Sequence, residues 1–465
     1  MMKMNILPIV WMLLIACSKG NPASPVSPPP PPPPGTGGAD SVLVQYGTPF
    51  AGVPSAKDVV LYQVNIRAFS SQGNFAGIRA RLDSIKALGV NTLYLLPVYP
   101  VGVLKSVNSP YCVKDPMAVS SEFGTLDDLR QLVADAHSKN MAVLFDWVAN
   151  HTSWDNAWIA NKAWYLQDAS GNIISPPNTG WNDVAALNFQ NTDMRQAMIR
   201  AMKYWVYQVN IDGYRCDAAD FIPKDFWQQA IDSLRHIPAH KLLLFAEGTR
   251  KDHFTAGFQL EYGMGFYYNM VNNIYAKQSS VLSIDSVNAV EYTNAPADDR
   301  VVRYISNHDV DNSDGTPLDL LGGRSGSLAA FVVAAYMKGS PMIYNGQEVA
   351  CPQKLNFFNR STTIDWTINP DVTATYKKIL ALRNGSEAIK QGDLVSYSTS
   401  DVAAFTRSYG TEKVGVIVNL RNAVTTYPVP ATLAAAWKDA FTGNPFTLPA
   451  QLSLQPFEYK VFTLP

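Results

Sequence analysis

Residues 142–151 read Ala142-Val143-Leu144-Phe145-Asp146-Trp147-Val148-Ala149-Asn150-His151, an apolar run that gives way to polar side chains. A short apolar run of this kind predicts a buried β-strand, which we place over residues 142–146. The preceding stretch, 126–137, predicts a helix. This pairing of a helix with a strand recurs along the chain and indicates the fold class.

Short β-like runs alternate with amphipathic helical stretches from about residue 58 onward. One helix is predicted over 78–88, with Gly89 as its C-cap. The other strand-like runs are residues 59–64, 91–96, 211–216, 242–246, 301–306 and 341–344. Repeated alternation predicts an α/β fold with parallel strands and right-handed crossovers. Over about 330 residues, eight such units would close a (β/α)8 TIM barrel.

Two stretches depart from the alternation and set the predicted domain limits. Residues 152–187 are rich in tryptophan, proline and glycine, which predicts a short excursion after the third strand. From residue 391 short strands follow one another without helices, which predicts a C-terminal all-β sandwich over 391–465. The barrel is therefore predicted over 58–390.

The composition limits the class of protein. The chain has 465 residues, of which 47% are hydrophobic and 16% charged, with a formal net charge of -1. A chain of this length and apolar content buries a full core, so overall disorder is excluded. Because nucleic-acid-binding surfaces are usually strongly basic, the near-neutral charge argues against a nucleic acid as partner.

The N-terminus has the pattern of an export signal. Lys3 precedes an apolar run over 6–16, which suits a signal peptide over 1–16 and is too short to span a bilayer. Leu14-Ile15-Ala16-Cys17 resembles the bacterial lipobox, in which the cysteine is acylated. We therefore expect export and lipid anchoring at Cys17 to a bacterial membrane, at the outer membrane or cell surface. The alternative is an ordinary signal peptide with an incidental cysteine.

The segment after Cys17 is predicted to be a lipid-anchored linker and lead-in over 17–57. It is rich in proline, serine and glycine and contains seven consecutive prolines at 28–34. Such a segment buries little apolar surface and forms an extended, semi-rigid spacer. The spacer would hold the folded part of the chain away from the membrane.

Polar side chains gather at the carboxyl ends of the predicted barrel strands. They are Asp146, Asn150 and His151 after the third strand, Arg215 and Asp217 at the fourth, Glu247 at the fifth, and Asn307, His308 and Asp309 at the seventh. In a closed barrel these ends converge on one face, where barrel enzymes keep their active sites. Singly, such residues are often ion pairs or satisfied core side chains; together they predict one site.

The same residues carry a resemblance to a known family. Asp146-Trp147-Val148-Ala149-Asn150-His151, Gly213-Tyr214-Arg215-Cys216-Asp217, Ala246-Glu247-Gly248 and Ser306-Asn307-His308-Asp309 resemble, in order and spacing, the four signature regions of the α-amylase family, glycoside hydrolase family 13. The resemblance covers roughly residues 58–465. It implies a retaining glycosidase.

The resemblance implies three catalytic carboxyl groups. Asp217 would be the nucleophile that forms a covalent glycosyl-enzyme, and Glu247 would be the general acid and then the base. Asp309 would grip sugar hydroxyls and favour the distorted ring. Arg215 lies two positions before Asp217, on the same side of its strand, and its charge should keep that carboxyl ionised.

Further side chains are predicted to bind the substrate. The resemblance implies that Tyr111 stacks beneath the sugar being cleaved and that His151 and His308 donate hydrogen bonds to ring hydroxyls. Arg215 and Asn307 complete the predicted substrate-binding set. The tryptophans of the excursion either cover apolar faces of glucose units or form a small core, and the sequence leaves both interpretations open.

No cofactor is predicted, and a metal site is expected to be weak or absent. Many relatives bind structural calcium through an asparagine that corresponds to Asn150, the one weak candidate here. Ala186 stands where many of them carry an aspartate, and Phe221 stands where histidine is frequent. Calcium prefers six to eight oxygen ligands, several of them charged, so the site is impaired.

The predicted activity is hydrolysis of α-1,4-glucosidic bonds in starch-like glucans and maltooligosaccharides, with these α-glucans as partners. A cyclomaltodextrinase, an α-glucosidase or a transglycosylase of the same family is the first alternative. Asp220 replaces a lysine or other residue found near the leaving group in many amylases, which leaves substrate preference open. A non-catalytic starch-binding protein is the alternative of another class.

Overall fold

Eight parallel strands form the framework of the computed structural model, which describes residues 43–464. The predicted signal peptide, the acylation site at Cys17 and residues 18–42 of the predicted linker lie outside the described residues. The strands are β1 (Leu61–Val64), β2 (Thr92–Leu95), β3 (Ala142–Trp147), β4 (Gly213–Cys216), β5 (Leu243–Ala246), β6 (Leu260–Tyr262), β7 (Arg300–Arg303) and β8 (Ser340–Tyr344). They close in the order β1-β8-β7-β6-β5-β4-β3-β2, which confirms the predicted (β/α)8 barrel.

Helices surround the barrel and connect its strands. The principal ones are Ile66–Phe69, Phe75–Arg79, Leu82–Leu88, Leu126–Ser138, Thr192–Val209, Lys224–Arg235, His253–Ala256, Met264–Tyr268, Ser283–Glu291, His308–Ser313, Pro317–Leu320, Gly323–Tyr336, Pro370–Gly385 and Glu387–Gln391, with a π-helical turn at Asn269–Tyr275. None of the helices in residues 43–464 combines the length and apolar character that a membrane crossing needs.

Local sequence signals explain why these helices begin and end where they do. Thr125 starts the helix Leu126–Ser138 with a capping box, in which its side chain accepts from the backbone of Asp128 and Asp128 reaches back to it. The buried residues of this helix recur every three or four positions, at Leu129, Leu132, Val133 and Ala136. This spacing forms one apolar stripe against the barrel.

Two elements differ from the sequence prediction. The helix predicted over 78–88 is two helices, Phe75–Arg79 and Leu82–Leu88, although Gly89 ends the second one as predicted, in the left-handed region at φ 102°. Strand β6 is not among the predicted runs. It has three residues with buried Glu261 at its centre, so it lacks the apolar run by which strands are recognised.

The excursion after β3 starts and ends in a two-stranded antiparallel ribbon. His151–Ser153 pairs with Val184–Ala186, and His151 lies opposite Ala186. Between the two strands the chain forms the 3-10 turns Ala157–Ala160 and Lys162–Trp164. The ribbon fixes His151 directly beyond the end of β3.

The C-terminal part is all antiparallel β, as predicted. Its six-stranded sheet has the order Asp393–Ser396, Val402–Tyr409, Glu412–Asn419, Tyr459–Leu464, Trp437–Asp439, Pro445–Phe446, and Thr425–Pro428 pairs with Gln451–Leu454 in a second sheet.

Alternating residues of the larger sheet belong to two different cores. Val402, Ala404 and Ile417 pack in the cluster between the two C-terminal sheets. Phe405 and Val416 belong instead to the cluster of the barrel. Because successive side chains of a strand point to opposite faces, one sheet contributes to both cores.

Candidate active site

Arg215 organises the floor of the barrel mouth. It lies on β4 opposite Asp146 of β3, and its side chain is 1% exposed. Its Nη1 donates to Asp146 Oδ1 at 2.6 Å and to Asp217 Oδ1 at 2.9 Å, and its Nη2 pairs with Glu247 Oε1. A buried guanidinium requires such partners, because an unpaired charge in the interior is costly.

The two carboxyl groups predicted to do the chemistry lie side by side. The backbone N–H of Glu247 donates to Cys216 O at 3.0 Å, which joins the ends of β4 and β5. The N–H of Ala218 donates to Glu247 Oε2 at 2.7 Å. Since Asp217 and Glu247 occupy the two terminal nitrogens of one guanidinium, the structure brings both carboxyl groups to a single point of the mouth.

The charges of the site act on Asp217 in opposing directions. Burial raises the pKa of the Asp217 carboxyl well above its ordinary value, and neighbouring Glu247 adds to the rise. The Arg215 guanidinium lowers it, as the sequence predicts, but does not cancel the effect of burial. Burial raises the pKa of Asp146 in the same way, with Arg215 opposing.

A chain of hydrogen bonds fixes His308 and Tyr111. Gln63 Nε2 donates to His308 Nδ1 at 2.9 Å, so the imidazole carries its hydrogen on Nε2, which lies 2.5 Å from the Tyr111 hydroxyl. Tyr111 in turn donates to Asp146 Oδ2 at 2.8 Å. Burial lowers the pKa of His308 to about 3, which keeps the ring neutral over the mildly acidic and neutral range.

Asn307 and Asp309 begin the helix that follows β7. Asn307 is its N-cap, and its Oδ1 accepts from the N–H groups of Asp309 at 2.9 Å and Val310 at 3.0 Å. The Asp309 carboxylate is half exposed, lies 3.3 Å from His308 Nε2 and faces the cleft. Asn307 is buried outside the cleft lining, so its role in substrate binding stays a prediction.

A cleft of about 690 Å³ opens above this floor. Its lining includes five of the predicted site residues, Tyr111, His151, Asp217, Glu247 and Asp309. His151 accepts from the Asn150 amide at Nδ1, 3.2 Å away, and burial lowers its pKa to about 4. The cleft thus combines neutral hydrogen-bonding rings with carboxyl groups, a combination that suits a ligand rich in hydroxyl groups.

The tryptophans of the excursion divide between the two roles that the sequence leaves open. Trp158 is buried and packs edge-on against Trp164, with ring centres 5.3 Å apart. Trp181 lines the cleft, is 37% exposed and meets His151 edge-on at 5.6 Å. Trp154 lies beneath the ammonium of Lys105. Trp181 alone of these four offers its ring to the cleft lining.

The surroundings of Asn150 do not fit a calcium ion. A cavity beside it is lined by Ala186, Leu187, Phe221 and several prolines and amides, and no carboxylate of the described residues contributes to that lining. Among residues 43–464 no group of three or more His, Cys, Asp or Glu could hold a metal. Calcium needs several charged oxygen ligands, so the residues present do not match it.

Asp220 has a structural task in the described residues. Its carboxylate accepts from the N–H groups of Thr249 at 2.9 Å and Arg250 at 3.1 Å, in the loop directly after Glu247. It is outside the cleft lining. Asp220 therefore fixes the loop that carries the predicted acid.

Sequence reasoning assigned no site role to two residues that hold this arrangement together. Gln63 orients His308, and the Tyr94 hydroxyl donates to Asp146 Oδ2 at 2.8 Å. A buried amide within the otherwise apolar strand β1 is a signal that points to Gln63. Tyr94 gives no such signal, because a tyrosine is ordinary in a strand.

Comparisons with known proteins indicate the family of this chain. The model of the family described as "Alpha amylase, catalytic domain" matches residues 46–178 and 160–365. Alpha-amylase 2 of Dictyoglomus thermophilum is 25% identical over 401 residues, which cover 81% of this chain and 68% of that protein. A cyclomaltodextrinase of Thermoanaerobacter pseudethanolicus is 24% identical over 382 residues, 75% of this chain and 63% of its own.

The fold also matches a solved structure. The crystal structure of an alpha-amylase from Lactobacillus plantarum superimposes with a TM-score of 0.78 at 25% identity, and the match covers 88% of this chain and 99% of that one. The match therefore includes most of the described chain.

Proposed function

Because the chain belongs to the α-amylase family of glycoside hydrolases, we propose that it hydrolyses α-1,4-glucosidic bonds of starch-like glucans and maltooligosaccharides with retention of configuration. One observation carries the proposal: Asp217 and Glu247 share the Arg215 guanidinium at the floor of a cleft. Retaining glycosidases need their two carboxyl groups close together, about 5–5.5 Å apart.

In the first step Glu247, in its protonated form, donates its proton to the glycosidic oxygen. The bond from that oxygen to the anomeric carbon breaks, and an Asp217 oxygen attacks the carbon from the opposite face. This step releases the leaving sugar and forms a glycosyl ester on Asp217. Arg215 holds the carboxyl group of Asp217 in place at 2.9 Å during the attack.

In the second step water replaces the leaving sugar. Glu247, now a carboxylate, accepts a proton from the water while the oxygen attacks the anomeric carbon and the ester bond to Asp217 breaks. Two inversions give net retention, and both carboxyl groups return to their initial states. Tyr111, His151 and Asp309, which line the cleft, would hold the sugar ring during both steps, and His308 would hold Tyr111 in position.

The alternatives remain distinguishable. A cyclomaltodextrinase, an α-glucosidase or a transglycosylase would use the same floor and differ in the shape of the cleft. A non-catalytic starch-binding protein is the alternative of another class, and loss of one of the three carboxyl groups would favour it. All three are present in the chain, as Asp217, Glu247 and Asp309.

The proposal is tested by reducing-end release from soluble starch and maltoheptaose. We expect Asp217→Asn and Glu247→Gln each to lower kcat by about 10⁴-fold or more, since each removes an essential group of one catalytic unit. Asp225→Asn, at an exposed surface carboxylate, is the matched control and should keep wild-type activity. Equal rates for Asp217→Asn and wild type, or initial release of the β-anomer, would contradict the mechanism.

We also propose that the chain is exported and anchored to a bacterial membrane through an acylated Cys17, at the outer membrane or cell surface. The lipobox-like Leu14-Ile15-Ala16-Cys17 and the proline run at 28–34 support this proposal. Radiolabelled palmitate should enter the wild-type protein in bacterial cells and be lost in Cys17→Ser. Label retained in Cys17→Ser would place any acylation at another residue.

A further inference from the structure

Arg67 joins two loops at the rim of the cleft. It lies in the short helix Ile66–Phe69 after β1, and its side chain is 3% exposed. Its Nη1 donates to three backbone carbonyl oxygens, those of Asn108 at 2.9 Å, Phe357 at 2.9 Å and Phe358 at 2.8 Å. One nitrogen thus ties the loop after β2 to the loop after β8.

Glu122 holds the other side of the guanidinium. Arg67 Nε donates to Glu122 Oε1 at 2.9 Å and Nη2 to Oε2 at 2.8 Å, a two-pronged pairing of high geometric specificity. Two further contacts lock the loops together: the Asn108 amide donates to Phe358 O, and Arg360 Nη2 donates to Glu122 O at 2.5 Å. We call this set, Arg67, Asn108, Glu122, Arg360 and the carbonyls of Phe357 and Phe358, the Arg67 clamp.

The clamped loops form part of the cleft wall. Val107 and Ser109 line the cleft from the first loop, and Phe357 and Phe358 line it from the second. The Phe357 ring lies 5.1 Å from the ring of His308. The clamp therefore fixes the wall beside the rings predicted to hold the sugar.

The order of the strands shows which end of the cleft this wall occupies. β1 lies between β2 and β8, and in the closed ring of eight it is four strands away from β5 in either direction. Glu247 ends β5, so Arg67 and Glu247 lie on opposite sides of the mouth. If Glu247 protonates the leaving sugar, as the proposed function requires, that sugar lies on its side of the mouth, and the non-reducing part of the substrate would extend toward the clamp.

We propose that the Arg67 clamp closes the non-reducing end of the cleft, so that the enzyme acts on short maltooligosaccharides and chain ends in preference to chain interiors. This inference rests on the proposed function and names its substrate class. The two loops that form this wall should move little, because any of the three carbonyl groups that moves away from Arg67 leaves part of a buried charge unpaired. The cleft consequently admits few glucose units beyond the bond that is cleaved.

The test compares maltoheptaose with the same sugar blocked at its non-reducing end by a 4,6-O-ethylidene group. We expect the wild-type kcat/KM to be at least about 10-fold lower for the blocked sugar, since a bulky group at a closed end is rejected. Arg67→Met, which removes the five hydrogen bonds that Arg67 donates, should reduce this discrimination several-fold. Asn108→Gly removes only the amide that donates to Phe358 O, and glycine readily adopts the local φ of 63°. This variant should therefore reduce the discrimination less than Arg67→Met does.

Arg235→Met is the matched control. Arg235 is exposed and ends the helix Lys224–Arg235, which runs back to the opposite face of the barrel, so the discrimination should equal that of wild type. Equal wild-type rates on blocked and free sugar would overturn the closed end while leaving the proposed hydrolysis intact. Folded Arg67→Met and Asn108→Gly with wild-type discrimination would overturn the role of the clamp. No cleavage of either sugar would overturn both proposals.

Discussion

Two buried arginines, one at the floor of the cleft and one at its rim, have different partners. Arg215 is bound by the carboxyl groups of Asp146, Asp217 and Glu247. Arg67 is bound by one carboxylate, Glu122, and by three backbone carbonyls. The carboxyl groups around Arg215 titrate, so this arginine can influence the protonation of the groups proposed to do the chemistry. Most partners of Arg67 are backbone carbonyl groups, which do not titrate, so this arginine mainly holds two loops in position.

The same substitution at both arginines separates these roles. We expect Arg215→Lys to lower kcat by about 100-fold or more with a smaller change in KM, because an ammonium cannot hold carboxyl groups on both sides as the planar fork does. Arg67→Lys should leave kcat on maltotriose within about threefold and change mainly the preference for chain length. Initial rates on maltotriose and maltoheptaose measure both effects.

A similar loss of kcat on maltotriose in both lysine variants would contradict this division. Circular dichroism and thermal unfolding of the two variants would show whether misfolding is the cause of such a loss. The comparison would be sharpened if Arg215→Lys kept the wild-type discrimination against the blocked sugar. That result would separate chemistry at the floor from selection at the rim.

The pH dependence gives a smaller effect that concerns the floor alone. Burial raises the pKa of Asp217, and attack requires its ionised form, so kcat/KM should fall on acidification at a higher pH than the ordinary aspartate value of about 3.9. Asp309 adds to the rise. Asp309→Asn should therefore move the acid limb to lower pH, by about half a pH unit, although its activity is lower.

Burial shifts the histidines of the site in the opposite direction. It lowers the pKa of His151 to about 4 and that of His308 to about 3, whereas it raises the pKa of Asp217. Profiles of kcat/KM against pH for wild type, Asp309→Asn and the surface variant Asp225→Asn test the assignment. An acid limb that stays in place in Asp309→Asn, or moves to higher pH, would show that another group controls it.

The barrel and its floor were predictable because their signals are local in the sequence. Most of the strands carry an apolar run of their own, Asp217 and Glu247 directly follow β4 and β5, and Asp309 lies at the start of the helix after β7. Closure of the barrel then brings them together without further information. β6 was not predicted because its three residues contain a charged one, Glu261, whose carboxylate lies beside Lys251 and His253 in the folded chain.

The rim was not predictable for a physical reason. Arg67 is separated from Phe357 and Phe358 by 290 and 291 residues, and it binds their carbonyl groups, which every residue possesses. No side-chain pattern marks such a partner. The division of the tryptophans is similar, because the exposure of Trp181 and the burial of Trp158 depend on how the excursion folds back.

The larger C-terminal sheet has a consequence for how this protein could be reshaped. Phe405 and Val416 complete the core of the barrel, while Arg407 donates to the carbonyl of Tyr336 at 3.3 Å. The sheet is thus a structural wall of the enzyme and not a detachable accessory. Truncating the chain before Asp393 would expose the apolar surface of the barrel that this sheet covers, and the truncated protein should be insoluble. Any exchange of domains with other proteins must therefore keep the barrel and the sheet together.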